Sequence, residues 1–566
     1  MMPRLSFSSI TLAAALALAP VTQAQAQASA GSYLAARHAS FFADFDKAVI
    51  YYIRALAQDP QNPVLLENAI SAYVGLGKFP QANTLASRMS EVGIQSQVAS
   101  IVGSAVLVKD GAFDTLVLKH RDGGGIGPLV DGLLLAWGLV GQGNITDAFA
   151  QFDSLGEAPG LKNFAMYHKA LALTSVGDLE SADALFSGRE AGPLRSTRRG
   201  ALAHVEILSQ LDRNDDAIDL IDNVFGESLD PGLQVTRMAL AGGQTLPLTM
   251  ARTVQDGASE VFYSVASALQ GEASPSYALL YSRAAEFLRE DHIEALLMSA
   301  EFLEELEQFD LANATYDRVP REDPAFHAAE LGRAAALRQA GRDDAAIEVL
   351  RQLTETHGQL PAVHITLGDT LRYLERYDEA SEAYDAAIAL YVDEKPNQWF
   401  AYYVRGITHE RIGEWPAAEA DFRKALDLNA DQPQVLNYLG YSMVEQDINL
   451  DEALEMIEKA VAARPNSGYI VDSLGWVLFR MGKYQEAVVH LERASELEAV
   501  DPIVNDHLGD AFWAVGRKIE AEFQWHRALS FDPTEDDAKR IRRKLEVGLD
   551  KVLEEEGTAP LQLAAD

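Results

Sequence analysis

Few residue patterns in the 566-residue chain could support catalysis or metal binding. Asp212, Asn214 and Asp216 match the start of a calcium-binding loop. However, Ala217 stands where that loop needs glycine, and Asn223 stands where it needs glutamate. The chain has no cysteine, which excludes disulfides, thiolate metal sites and a cysteine nucleophile. Its 12 histidines are scattered and form no His-Glu-x-x-His motif. The sequence therefore predicts a protein without catalytic residues, cofactor or metal.

Charge and hydropathy narrow the range of partners. Acidic residues number 84 against 47 basic ones, which gives a formal net charge of −37. This surplus opposes binding to nucleic acids and anionic lipids, because lysine and arginine are needed to neutralise phosphate. Hydrophobic residues make up 48% of the chain, as in a folded protein. The composition therefore favours protein partners or neutral ligands over nucleic acid.

The N-terminus has the features of a secretory signal peptide. Arg4 precedes an apolar run over residues 10–21 that is too short to span a bilayer, and small residues follow it. Ala-x-Ala patterns place the cleavage after residue 26, 28 or 30. No later stretch approaches 18 consecutive apolar residues. We therefore expect an exported, periplasmic protein with no integral membrane segment after cleavage.

One residue pattern recurs along the chain. A small residue in a first helix is often followed by glycine seven positions later, alanine twelve later and a large apolar residue sixteen later. In the clearest repeats the small residues are Gly368, Gly406, Gly440, Gly475 and Gly509, at spacings of 38, 34, 35 and 34. This pattern resembles the tetratricopeptide repeat (TPR) family, in which each 34-residue unit contains a helix A and a helix B. The resemblance implies an all-α fold, an α-solenoid whose repeats form a right-handed superhelix.

The same register extends toward the N-terminus through nine further repeats, making fourteen in all. The helix B position carries alanine in every repeat except one, which has Thr115. The thirteen alanines are Ala48, Ala82, Ala148, Ala182, Ala217, Ala278, Ala312, Ala346, Ala380, Ala418, Ala453, Ala487 and Ala521. A small residue there lets helix B approach helix A closely, while the next large residue fills the core.

The register breaks once, because 61 residues separate the helix A positions Val205 and Ala266. The predicted segments are a signal peptide (1–30), six degenerate repeats (31–225), an irregular junction (226–250), eight repeats (251–533), a capping helix (534–556) and a flexible tail (557–566). The capping helix covers the last apolar face of the array. Its basic run over residues 539–544 is flanked by acidic residues, which favours a solvated face.

In TPR proteins the A helices line a concave groove. Groove residues lie six and three positions before the small residue of helix A, and one, four and five after it. The resemblance therefore implies a partner-binding groove formed by Arg372, Tyr373, Tyr403, Arg411, Asn437, Tyr441, Asp472, Trp476, Arg480, Asp506 and Trp513. Aromatic and arginine residues are typical of protein-binding hot spots. A core position for Trp476 and Trp513 is the alternative, because aromatic residues at helical spacing are commonly buried.

These patterns predict a non-catalytic periplasmic TPR scaffold that binds protein or peptide partners through its groove, in assembly or export at the cell envelope. The lysine and asparagine clamp of some TPR co-chaperones is absent, since the matching positions hold pairs such as Ile365 and Asp369. The alternative function is a glycan-binding accessory protein for exopolysaccharide or peptidoglycan handling, because aromatic side chains also suit sugar rings.

Overall fold

The computed structural model describes residues 30–190, 192, 197–226, 229–558 and 561. These residues form helices and no strand, so the predicted all-α class is confirmed. The predicted signal peptide lies outside the described residues, apart from residue 30, and so does most of the predicted tail after residue 558. No helix in the described part of the chain is long and apolar enough to cross a membrane.

The chain forms two compact units, unit 1 up to Leu353 and unit 2 from Thr354. The helices that begin in unit 1 are α1 (30–41), α2 (Phe45–Leu56), α3 (Pro63–Gly75), α4 (Phe79–Glu91), α5 (Gln97–Lys109), α6 (Phe113–Arg121), α7 (Pro128–Gly141), α8 (Ile145–Gly156), α9 (Lys162–Ser175), α10 (Leu179–Phe186), α11 (Arg198–Gln210), α12 (Asn214–Phe225), α13 (Pro231–Ala241), α14 (Val254–Leu269), α15 (Pro275–Leu288), α16 (Ile293–Glu305), α17 (Phe309–Tyr316), α18 (Phe326–Gln339) and α19 (Asp343–His357).

Unit 2 continues the same alternation of helices. Its helices are α20 (Pro361–Tyr373), α21 (Tyr377–Ala389), a short 3-10 helix (Pro396–Gln398), α22 (Trp399–Arg411), α23 (Trp415–Leu428), α24 (Pro433–Glu445), α25 (Leu450–Ala463), α26 (Gly468–Arg480), α27 (Tyr484–Leu497), α28 (Pro502–Ala514), α29 (Lys518–Ser530), α30 (Glu535–Val547) and α31 (Leu549–Glu555). Within each unit most consecutive helices pack on one another, as expected for an α-solenoid.

The packing of each pair follows from the small residues of the repeat. All thirteen helix B alanines are at most 1% exposed. The helix A glycine receives the large residue of helix B, since a Cβ added at Gly509 would lie 2.5 Å from the Trp525 ring. A Cβ at Gly368 would lie equally close to the Tyr384 ring. The repeat pattern is therefore a packing requirement, because a larger residue at these positions would separate the two helices.

In unit 1 two helices pack back across the N-terminal repeats. Helix α14 contacts α5, α7 and α9, and α15 contacts α3 and α5. The ring of Phe287 stacks on that of Phe79, with centroids 4.4 Å apart and planes within 6°. At Gly257 of α14 the backbone lies directly against the buried Trp137 ring of α7. The absence of a side chain at Gly257 allows this approach.

The residues that receive α14 and α15 occupy the groove positions of the N-terminal repeats. Gln97, six positions before the small residue of its helix A, accepts a hydrogen bond from the hydroxyl of Tyr277 at 3.0 Å. Tyr167, three positions before, donates to Glu260 of α14 at 3.2 Å, and Arg199 forms a bidentate pair with the same carboxylate. The concave face of these repeats is thus filled by helices of the same chain.

The segment predicted as an irregular junction contains helix α13. After α13 the backbone runs along α11, where the Leu246 N–H donates to the Ser209 hydroxyl at 2.9 Å and the Thr249 N–H donates to Glu206 at 2.8 Å. These bonds satisfy backbone groups outside any helix, and they fix the path by which the chain reaches α14.

The close approach at Gly257 yields a stability prediction. Gly257→Ala should lower the melting temperature of unit 1, because the added Cβ would lie 2.4 Å from the Trp137 ring. Overpacking of this kind costs about 1–3 kcal/mol. Thermal unfolding followed by circular dichroism measures the loss. Gly31→Ala is the matched control, since its Cβ finds no atom of the described residues within 4 Å. Equal melting of the two variants would contradict the contact between α14 and α7.

Candidate functional site

A cavity of about 580 Å³ lies in unit 2, on the faces of the A helices α24, α26 and α28. Helices α30 and α31, together with Thr558 and Leu561, close one end. The lining includes Tyr441 from α24, Trp476, Phe479 and Arg480 from α26, Ile503, Asp506, His507 and Asp510 from α28, Asp537 and Arg540 from α30, and Thr558 and Leu561 beyond α31. The cavity therefore brings together four of the predicted groove residues, Tyr441, Trp476, Arg480 and Asp506.

Three stacked rings form the floor of this cavity. The Trp476 ring stacks on His507 with centroids 3.9 Å apart and on Phe479 with centroids 4.9 Å apart, and both pairs are parallel within 9°. The indole Nε1 donates a hydrogen bond to Glu445 at 2.7 Å. Trp476 is only 8% exposed, so it belongs to the core of unit 2 as well as to the cavity.

The predicted groove residue Asp472 lies behind this stack and controls the charge of His507. Its carboxylate is 2.9 Å from the His507 Nδ1, and both residues are buried. Burial alone would lower the pKa of His507, but the Asp472 carboxylate outweighs it and raises the pKa above its ordinary value. The pair thus favours a protonated imidazole stacked on the electron-rich face of Trp476.

Helix α30 closes the cavity with a buried ion cluster. The Lys544 side chain is fully buried, and its Nζ lies 2.7 Å from both the Asp506 and the Asp510 carboxylates. Burial raises the pKa of Asp506 despite this ammonium group. The prediction that the basic run lies on a solvated face is wrong for Lys544. Its ammonium group is buried against the Asp506 and Asp510 carboxylates of α28, which compensate its charge.

Trp513 also contacts the cap rather than an open groove. Its indole Nε1 donates to Asp550 of α31 at 2.8 Å, and the backbone of Gly548 lies against its ring. Trp513 and Asp506 are therefore engaged by α30 and α31, which end the groove on this side.

Five predicted groove residues lie on α20, α22 and α24 and do not line the cavity: Arg372, Tyr373, Tyr403, Arg411 and Asn437. Arg372 donates to the Tyr384 hydroxyl at 3.2 Å. Tyr403 packs against Phe422, whereas Tyr373 is 65% exposed. The Asn437 Oδ1 is buried and has no hydrogen-bond partner among the described residues.

Several lining residues were missed by the sequence prediction. Ile503 is 47% exposed and lies six positions before Gly509, so the groove rule itself would have found it. Asp537, Arg540 and Leu561 lie beyond the last repeat, where that rule does not apply. The described lining carries six carboxylates, Glu445, Asp447, Asp506, Asp510, Asp537 and Glu556, against Arg480, Arg540 and His507, and the buried Lys544 pairs with two of the six. Glu445 and Asp537 form no ion pair among the described residues. The cavity is therefore acidic.

A second cavity of about 690 Å³ lies in unit 1, between α9, α11 and α14. Arg199 at its wall pairs with Glu260 and, at 2.7 Å, with Glu294. Burial would raise the pKa of Glu260, but Arg199 and His292 hold it well below its usual range. The charges of these residues compensate one another, and the described residues contain no group of three or more His, Asp or Glu side chains that could hold a metal ion.

Three parts of the chain match models of one repeat family. Residues 297–361, 359–431 and 470–497 each match a tetratricopeptide repeat model. A TPR repeat-containing protein of Pseudomonas aeruginosa is 29% identical over 210 residues, which are 36% of this chain and 34% of that protein. The chain thus spans about a third of the length of this relative. These matches support the predicted tetratricopeptide repeat family.

Two solved structures align over most of the chain at low similarity. The APC/C hetero-tetramer Cut9–Hcn1 matches with a TM-score of 0.38 and 14% identity, covering 91% of this chain and 96% of that one. Yeast Tom70 matches with a TM-score of 0.34 and 14% identity, covering 94% and 99%.

The ion cluster of the cap yields a second prediction. Lys544→Met should destabilise unit 2 by about 3–5 kcal/mol at pH 7, because it leaves Asp506 and Asp510 buried without their nearest positive charge. Adding Asp510→Asn should restore part of the loss. Chemical unfolding measures both changes. Lys551→Met is the control, since the Lys551 side chain is 49% exposed and pairs only with Glu554 among the described residues. A Lys544 variant as stable as this control would refute the buried cluster.

The raised pKa of His507 yields a third prediction. The stabilisation that protonated His507 provides is present in full below the pKa of histidine in the unfolded chain, about 6.5. It is lost as the pH rises through the higher pKa that His507 has in the folded protein. Unit 2 should therefore lose stability as the pH rises above about 6.5. The slope should flatten in His507→Gln and persist in a variant of the exposed His526, His526→Gln. Unfolding midpoints across this range are the measurement, and an unchanged slope in His507→Gln would contradict the assignment.

Proposed function

We propose that the protein is an exported, non-catalytic TPR scaffold that binds an extended peptide segment of a protein partner in the cavity of unit 2. The observation that carries the proposal is the acidic cavity on the A helices, which Tyr441 and the partly exposed Ile503 line together with the ring stack. TPR arrays generally act as scaffolds without catalytic residues, which agrees with the sequence patterns.

The charge of the lining defines the partner's chemistry. Glu445 and Asp537, which have no basic partner among the described residues, favour a segment that carries lysine or arginine beside apolar side chains. A peptide fits these walls better than a glycan does. Sugar rings need a free aromatic face, whereas Trp476 uses its ring to stack on His507 and Phe479 within the protein.

The filled groove of unit 1 supports assigning recognition to unit 2. Gln97, Trp137, Tyr167 and Arg199 occupy positions that would contact a ligand, and each contacts α14 or α15 instead. In this proposal the N-terminal repeats have a structural role. The signal-peptide pattern supports a periplasmic location and a role in envelope assembly or export.

Site-specific photo-crosslinking tests the proposal. A benzophenone amino acid at position 503 should trap partner proteins in intact cells, whereas the same group at Phe523, which is 62% exposed on the B helix α29, should not. The double change Glu445→Gln and Asp537→Asn removes two lining charges with little change in shape. It should weaken trapping about threefold, as expected for two exposed ion pairs. Equal trapping at both positions, or trapping unaffected by the charge change, would disprove the cavity as the binding site.

The location is tested separately. Osmotic release of periplasmic contents should yield a chain whose N-terminus, determined by mass spectrometry, begins just after residue 26, 28 or 30. A chain that retains residues 1–25 in the cytoplasm would disprove export while leaving the peptide-binding proposal intact.

A further inference from the structure

The chain turns back toward the cavity of unit 2 after its last helix. Glu556 forms a bidentate pair with Arg540 of α30, at 2.8 and 3.2 Å. Gly557 then adopts a φ of 73°, a left-handed conformation that glycine accepts without strain. The Thr558 N–H donates to the Leu553 carbonyl at 2.9 Å, which completes the end of α31.

Two residues of this segment line the cavity itself. Thr558 and Leu561 belong to its walls, and Leu561 is half-buried against the hydrophobic core of unit 2. The ring stack and Tyr441 lie in the same cavity. A leucine of the protein's own chain thus occupies a position that a bound peptide would need.

We propose that Thr558 and Leu561 act as an internal occupant of the peptide site, and that the external partner displaces them with a segment carrying an aliphatic side chain and basic residues. The proposal rests on the function proposed above. It adds that a segment of the same chain competes with the partner, that the partner's peptide carries an aliphatic side chain in place of Leu561, and that the partner must displace the internal segment in order to bind.

Charge explains why the internal occupant can be displaced. The sequence after Glu556 is GTAPLQLAAD, which contains no lysine or arginine and ends with an aspartate. It offers Leu561 to the apolar wall but no positive charge to Glu445 and Asp537, the lining carboxylates without a basic partner among the described residues. A tethered segment needs little intrinsic affinity, because its effective concentration is in the millimolar range. An untethered ligand with both leucine and basic residues gains the ion pairs that the internal segment lacks.

A peptide-binding experiment tests this proposal. The probe is a fluorescein-labelled peptide of sequence GTAPLQLAAD, measured by fluorescence anisotropy against the full-length protein and its Leu561→Asp variant. The variant should release the internal segment, because the new carboxylate faces an acidic wall. Saturable binding should then be at least tenfold tighter than to the unchanged protein. Val489→Asp is the matched control, since Val489 is 64% exposed on the B helix α27.

The peptide itself is varied in the same assay. A peptide with Leu561→Ala should lose at least tenfold in affinity for the variant protein, and a peptide with Asp566→Lys should bind several times more tightly at low salt. A chain ending at Gly557 provides a second protein without the internal leucine. Absence of binding to both altered proteins at millimolar peptide concentrations, or equal binding to the unchanged protein, would overturn the proposal.

The outcomes separate this proposal from the one on which it rests. If crosslinking at position 503 traps partners while neither altered protein binds the peptide, internal occupancy fails and the peptide-binding function stands. If the peptide binds only the altered proteins and position 503 traps nothing, internal occupancy stands and the partner-binding function fails. Increased trapping in the Leu561→Asp variant would support both.

Discussion

The contact between α14 and the inner face of the N-terminal repeats is the constraint on which the accessible surface of unit 1 depends. At its centre the backbone of Gly257 lies on the buried Trp137 ring, and Arg199 pairs with Glu260 in a fully buried position. A repeat array normally exposes its concave face to a ligand. Here hydrogen-bonding and aromatic groups at the groove positions are used to hold the chain's own helices.

Buried ion pairs occur at both places where a helix packs over a concave face. Arg199 and Glu260 join α11 to α14 in unit 1, and Lys544 joins α30 to two aspartates of α28 in unit 2. The desolvation of such charges offsets much of their attraction, so their main effect is to penalise any other arrangement of the helices. In both units, apolar packing joins neighbouring repeats, and charged contacts fix which helix covers the face.

The sequence predicts the repeated contacts well because each repeat imposes the same steric requirement. A glycine such as Gly509 must face a ring such as Trp525, and this pairing leaves a regular signal of small and large residues. The contents of the groove leave no comparable signal. The sequence around Tyr167 would be the same whether this residue contacted a bound ligand or donated a hydrogen bond to Glu260. The repeat period identifies which face of the helix Tyr167 lies on, but it does not identify what packs against that face. Lys544 likewise belongs to a run that resembles a solvated surface, and only the fold reveals Asp506 and Asp510 beside it.

The packing of α14 and α15 also sets an order on the folding of unit 1. Gln97 bonds to Tyr281, which follows it by 184 positions, so the inner face of the first repeats stays uncovered until α15 has been synthesised. Contacts between residues so distant in sequence form slowly, because a long loop must close before any of them stabilises the chain. A solenoid stabilised by neighbouring repeats alone can begin folding at any repeat. The N-terminal repeats of this protein instead complete their packing only when α14 and α15, which are synthesised much later, pack against them. Because these contacts join distant parts of unit 1, unit 1 should unfold in a single cooperative transition.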